Sequence, residues 1–328
     1  MQQITDSFCL QGEGIPSPSP YLYEKGGCCP WLLRRKRLRR SNTSLKTISP
    51  GTRCWLIGFF AMWLVPAVIS IYYSFTDYNL LSAPNWVGLK NYIDIFSTDK
   101  NFRQAMAVTF GYVFLMVPLH LAFALFVANL LNKKHMGMAL YRVLYYVPSI
   151  VGGSIAVSVV WKQIFGNKGV LMTLLGAFGI EQKLSLLGNP KTALLVIVLM
   201  GVWQFGSCML VFLAGLKQIP ASLYESCAID GASSFTRFWK ITMPLLTPTL
   251  FFNLIQQIIN SFRVFTESYI ITDGGPMGKT MTYVLYRSAF TNFHMGYSCA
   301  LGWILVLIIG AATIILFKSQ KSWVHYET

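Results

Sequence analysis

"IPASLYESCAIDGASSFTRFWKITMPLLTPTL", residues 219–250, is the polar interlude on which the reading of this chain turns. Pro220 suits the first turn of a helix, and Ser222 is a second candidate cap. Leu223, Cys227 and Ala228 then share one helix face, Glu225 and Asp230 lie off it, and Gly231 stands where a helix ends. A second amphipathic stretch carries Phe235, Phe238, Trp239 and Met243, and Pro244 is expected to close it. Two short helices meeting at a glycine make a compact knob, shaped to enter a groove on a partner.

Outward from the knob the chain turns apolar. Of 328 residues, 54% are hydrophobic and 12% charged, against about 25% charged in soluble domains. A bilayer crossing needs about 20 mostly apolar residues, and six segments qualify: 54–75, 105–131, 141–160, 192–216, 244–271 and 298–317. The first follows basic residues, as a signal peptide would. It is too long for one and lacks a small-residue cleavage site, so it reads as a retained anchor. The expected fold is therefore all-α and membrane-embedded, with six spans and the knob between the fourth and fifth. Residues 1–53 form a basic, partly disordered tail, 54–317 the membrane domain and 318–328 a short C-terminal tail.

Charge sets the orientation. The net charge is +15, and nine of the 27 Lys and Arg lie between Lys25 and Arg53. With six spans, the side bearing both termini and the knob holds 17 of them and the opposite side nine, while Arg263 falls inside the fifth segment. Basic residues stay on the cytoplasmic side, so both termini and the knob are expected there. The run "RRKRLRR" (34–40) reads as a positive-inside flank to the bilayer, and no nucleic-acid partner is expected. The seven cysteines are scattered without a C-x-x-C pair, and no metal site is expected.

"TDGGPMGKT" (272–280) ends like a phosphate-cradling loop. The motif needs a glycine at 273, where Asp273 stands, and Pro276 removes one cradling amide. The segment also falls on the side without ATP. It reads as a tight turn around Gly274, Gly275 and Pro276, and the chain carries no ATP site of its own.

The knob resembles the EAA loop of ABC-importer permeases, E-A-A-x-x-x-G, nine residues, then I-x-L-P. Glu225, Gly231, Ile241 and Pro244 keep its spacing; Ser226 and Cys227 stand in for alanines and Met243 for leucine. Further segments are similar to carbohydrate permeases: "NWVGLKNYIDIF" (85–96), "YRVLYYVPSIVGGSIAVSVVWKQIF" (141–165) and "TDGGP" (272–276). The resemblance covers about 54–317. It implies a permease that pairs with a second permease, takes a saccharide from an extracytoplasmic solute-binding protein, and is driven by an ATPase dimer that binds ATP and Mg. This chain would then be a transport subunit with no cofactor of its own. Glu225, Ser226, Cys227, Ala228 and Asp230 would form the docking helix, Gly231 its bend, and Ile241 and Pro244 its exit.

The fifth segment carries a polar stripe: Asn253, Gln256, Gln257, Asn260, Arg263 and Glu267. Steps of three and four place most of them on one helix face, and polar residues in a span usually face an interior or an aqueous path. Arg263 and Glu267, four apart, are spaced to pair. Asn and Gln both donate and accept, as sugar hydroxyls require. Trp203, Gln204 and Tyr269 are added as candidates in the outer half. An ion-gradient-driven carrier is the alternative; it would show mid-membrane acids and an internal repeat, and only Glu267 approaches this. An enzyme would need a catalytic constellation, and His120, His135, His294 and His325 are far apart in sequence. Opposite the knob, nine Lys and Arg face five acids (Asp77, Asp94, Asp99, Glu181 and Asp273). With Arg263 this points to an acidic saccharide of the alginate or pectin type.

Overall fold

The computed structural model describes residues 50–325, apart from 134–135, 167–168, 178–185, 273–274 and 276–277. The chain divides into two units, Met1–Trp55 and Leu56–Thr328, and the second carries the helices that follow. The expected tail over 1–53, with its basic run, lies almost wholly outside the described residues. So do Glu181, Asp273 and two residues of the expected turn, Gly274 and Pro276.

Among the described residues every regular element is helical, and strand-like pairing occurs only at two isolated bridges, Thr76 with Trp86 and Asn79 with His294. Three helices among the described residues are long and apolar enough to cross a bilayer: α1 (Trp55–Ser74), then, after the short α2 (Lys90–Ser97), α3 (Lys100–Leu131), and α14 (Met295–Trp323). Each meets the roughly 30 Å a hydrocarbon core requires at 1.5 Å per residue. Two bent pairs raise the number to five if each counts as one span: α4 (Met138–Val151) with the stretch that opens as α5 (Ile155–Phe165), bent by 95°, and, past α6 (Val170–Ala177), α7 (Pro190–Trp203) with α8 (Gly206–Gln218).

Three expected spans are thus not continuous. The third breaks at Gly152–Ser154, where two glycines weaken the helix and Ser154 Oγ accepts from Val157 N at 3.3 Å to start a new one. The fourth bends by 46° at Gln204–Phe205. The fifth is α11 (Met243–Phe262), a break at Arg263, then α12 (Thr266–Thr272). The break also separates Arg263 from Glu267, in the first turn of α12, so the two no longer stack on one helix face as their spacing implied. The sixth runs past 317 to Trp323, so the expected C-terminal tail is partly helical.

Two prolines are absorbed rather than obeyed. Pro66 and Pro244 each follow a five-residue wide turn, Phe60–Leu64 and Phe238–Thr242. There the next amide bonds one residue further back than in an α-helix, Val65 N to Phe60 O and Met243 N to Phe238 O. The widened turn makes room for a ring that would otherwise clash with the carbonyl four residues earlier. Pro244 therefore does not close the second knob helix; α10 (Ser234–Arg237) runs through this turn into α11.

The core is built round α3, which packs on α7, α8, α11 and, after Gly278, α13 (Met281–Tyr286). Phe212, Met209, Leu246 and Leu301 are fully buried there. By contrast α1 leaves its apolar surface open, with Trp63 74% and Met62 78% exposed, as a face for lipid or protein does. Where α1 ends, Asn91 Nδ2 donates to Ser74 O and Thr76 O at 2.9 and 3.0 Å, and Tyr92 OH donates to Ser74 Oγ at 2.8 Å. Asp99 caps α3 through Asn101 N at 2.7 Å and accepts from Tyr297 OH.

Candidate functional site

The knob is helix α9 (Ala221–Ile229) followed by α10. Pro220 precedes the first turn without a side-chain cap, so the expected cap at Ser222 does not form. The C-terminus is closed by Gly231 at φ +71°. Ala232 N donates to Cys227 O at 3.0 Å and Gly231 N to Ala228 O at 3.2 Å, the crossed pair of a left-handed helix stop. Ser233 Oγ then accepts from Thr236 N at 3.2 Å and starts the next turn. Tyr224 OH and Thr242 Oγ1, 2.9 Å apart, tie α9 to the base of α11.

This arrangement sorts the sequence candidates. Glu225, Ser226, Ala228, Asp230 and Gly231 are exposed on the knob; Cys227, Ile241 and Pro244 are half-buried where it joins the bundle. Leu223, Ile229, Phe235 and Trp239 are exposed as well, Ile229 to 87%. Exposed apolar patches of this kind are found where a protein meets another protein or a membrane.

The polar stripe lines a cleft of about 630 Å³. Asn253, Gln256, Gln257, Asn260, Arg263 and Glu267 all face it, and Gln204 joins them from the α7–α8 bend. All three helix breaks open onto this cleft: Gly153, Gln204 and Arg263 each line it. Trp203 and Tyr269 do not. Trp203 lies 5.9 Å from the Trp161 ring, and Tyr269 belongs to an aromatic cluster at the end of α11 away from the knob. Tyr112, His120, Ser149 and Ser207 also line the cleft, and none of them was proposed for it from the sequence. Polarity inside an apolar run was the available signal for His120, whose Nδ1 lies 3.1 Å from Gly201 O.

Three polar atoms in this lining have no partner among the described residues: Gln204 Nε2, Asn253 Nδ2 and Ser261 Oγ. Asn253 and Ser261 are 4% and 3% exposed. Buried polar atoms left unbonded cost about 1–3 kcal/mol each.

The family described as binding-protein-dependent transport system inner membrane component matches residues 133–323. The chain is 47% identical over 302 residues to the "Probable ABC transporter permease protein YesP" of Bacillus subtilis, covering 90% of this chain and 96% of that one. It is 31% identical over 264 residues to the "Multiple sugar-binding transport system permease protein MsmF" of Streptococcus mutans, covering 79% and 89%. Among solved structures, a chain of a bacterial alginate ABC transporter in complex with an alginate pentasaccharide-bound periplasmic protein superposes with a TM-score of 0.71 at 18% identity, covering 82% of this chain and 92% of that one.

Proposed function

We propose a function from one premise: the chain belongs to the family of binding-protein-dependent transport system inner membrane components, and is a permease subunit of a sugar ABC importer. It is a transport component, not an enzyme, and the ion-gradient alternative gives way to the family match. On that premise the cleft is the cargo path and the knob is the point of coupling. A second permease completes the path, a solute-binding protein delivers the saccharide, and ATP with Mg is bound and hydrolysed by a separate ATPase dimer against the knob. Both termini and the knob lie in the cytoplasm, as the basic-residue count favours.

The observation that carries the cargo reading is the cleft's polar wall, where Gln256, Gln257 and Asn260 stand with Asn253 and Gln204. Sugar hydroxyls donate and accept at once and match such a lining. Arg263, exposed on the same wall, favours a carboxylate-bearing sugar. In proteoliposomes holding the full complex with its binding protein, uptake of neutral and uronate oligosaccharides is compared. Asn253→Leu is expected to cut uptake by about tenfold, the loss of one or two such bonds. Arg263→Gln is expected to erase a preference for the uronate. Wild-type uptake in the Asn253 variant would overturn the path; an unaltered preference in the Arg263 variant would overturn the acidic cargo. Coupling is read separately: Glu225→Ala is expected to lower cargo-stimulated ATP hydrolysis while the isolated ATPase is unaffected.

A further inference from the structure

Beside the cleft, at the end of α11 away from the knob, four aromatic rings stand in sequence. Phe265, in the break after Arg263, lines the cleft itself. Its ring centroid lies 4.9 Å from Tyr286 and 5.4 Å from Tyr269; Tyr269 lies 5.5 Å from Tyr286, and Tyr286 5.0 Å from Phe290. Aromatic pairs stabilise one another at such separations, yet these rings are not sealed into a core. Tyr269 is 44% and Phe290 58% exposed. Tyr283, 6.0 Å from Tyr269, faces a second, polar cavity of about 540 Å³. The rings therefore run in contact from the wall of one cavity to the wall of the other.

The backbone beneath them is braced. Ser268 Oγ donates to Gly278 O, Thr282 Oγ1 donates to Val264 O, and Thr280 Oγ1 donates to the same carbonyl at 3.2 Å. Met281 N is held by Thr109 Oγ1 of α3 at 3.0 Å. Ring faces fixed on a braced turn are pre-organised for a flat ligand.

We propose that Phe265, Tyr269, Tyr286 and Phe290 form a stacking track that passes sugar rings from the outer side into the cleft. The proposal rests on the saccharide reading above. The axial C–H faces of a pyranose pack on aromatic rings without regard to which hydroxyl points where, much as bases stack on aromatic side chains regardless of sequence. Such a track conducts without holding any unit in a fixed pose, and an oligomer resting on several rings gains more from it than a single sugar.

The test uses the complete complex in proteoliposomes, with the malto-oligosaccharide and oligogalacturonate series as probes. Tyr269→Leu and Phe290→Leu keep bulk and apolarity but remove the ring. In whichever series the wild type imports, each is expected to raise KM about tenfold for the longer oligomers and less than about twofold for the monosaccharide. An equal shift for monomer and oligomer would mark the rings as membrane anchors or packing elements and overturn the track, as would no shift at all. If the wild type imports neither series, the track falls together with the saccharide reading on which it rests.

Discussion

Gly231 shows how one residue decides a local shape. It sits at φ +71°, and a Cβ built there meets nothing within 4 Å. Space is therefore not the constraint; the left-handed backbone is, and a side chain there costs about 1–2 kcal/mol. Gly231→Ala is expected to speed amide exchange across 221–232 by about fivefold, the kinetic equivalent of about 1 kcal/mol of local opening. Gly231→Asn should do less harm, because asparagine tolerates this region better. Mass-spectrometric hydrogen exchange on the purified chain reads both, and equal rates in all three proteins would show that the helix stop does not depend on this conformation. Gly231 was legible in the sequence because a glycine after an amphipathic turn has a local meaning. Asn91 was legible only as part of a motif. Its two bonds to Ser74 O and Thr76 O span 17 and 15 residues, and nothing in its neighbourhood announces them.

Between elements, close approach separates glycines that look alike in sequence. A Cβ on Gly206 would meet Tyr145 O at 2.6 Å and Tyr146 Cα at 2.8 Å, backbone atoms of α4 that cannot turn away. On Gly201 it would meet Met116 Cε at 2.6 Å and Sδ at 2.9 Å, the tip of a flexible side chain. Gly206→Ala is thus expected to destabilise by about 1–3 kcal/mol, an overpacking cost, and to lower the thermal midpoint in detergent. Gly201→Ala should stay near wild type. If Gly201→Ala were the more damaging of the two, the α4–α8 crossing would not be as tight as described. The same scale explains what sequence reading missed. A window long enough to find a span averages over Gly152, Gln204 or Arg263, so each apolar run reads as one helix and its break disappears. Yet these interruptions open onto the cleft. The polar stripe was found because its period follows the helix; Gln204 was named on its polarity alone, and His120 reaches the same cleft from α3, where only the packed bundle brings it.

At the scale of the molecule, the balance of charge and the packing make one joint claim about which end faces which compartment. The α11 helix, 20 residues long, separates the knob from the aromatic cluster by about 30 Å at 1.5 Å per residue, enough to cross the hydrocarbon core. Ile229, 87% exposed on the knob, and Leu81, 90% exposed after α1, should therefore lie in different compartments. The prediction is tested by introducing single cysteines, Ile229→Cys and Leu81→Cys, in a chain whose seven native cysteines are replaced by alanine. Cys227→Ala restores the alanine the permease motif carries at that position, so the background should leave the knob intact. A membrane-impermeant maleimide is expected to label the position-81 variant in intact spheroplasts and to leave the position-229 variant unlabelled until the membrane is opened. In inside-out vesicles the order reverses. Labelling of both from one side would mean that α11 does not cross, and the knob would then have no route to an ATPase in the cytoplasm. Labelling of position 229 alone from outside would invert the chain, against the six-span expectation of 17 basic residues on the knob's side and nine opposite, and the cleft would have to be read as opening toward the cytoplasm.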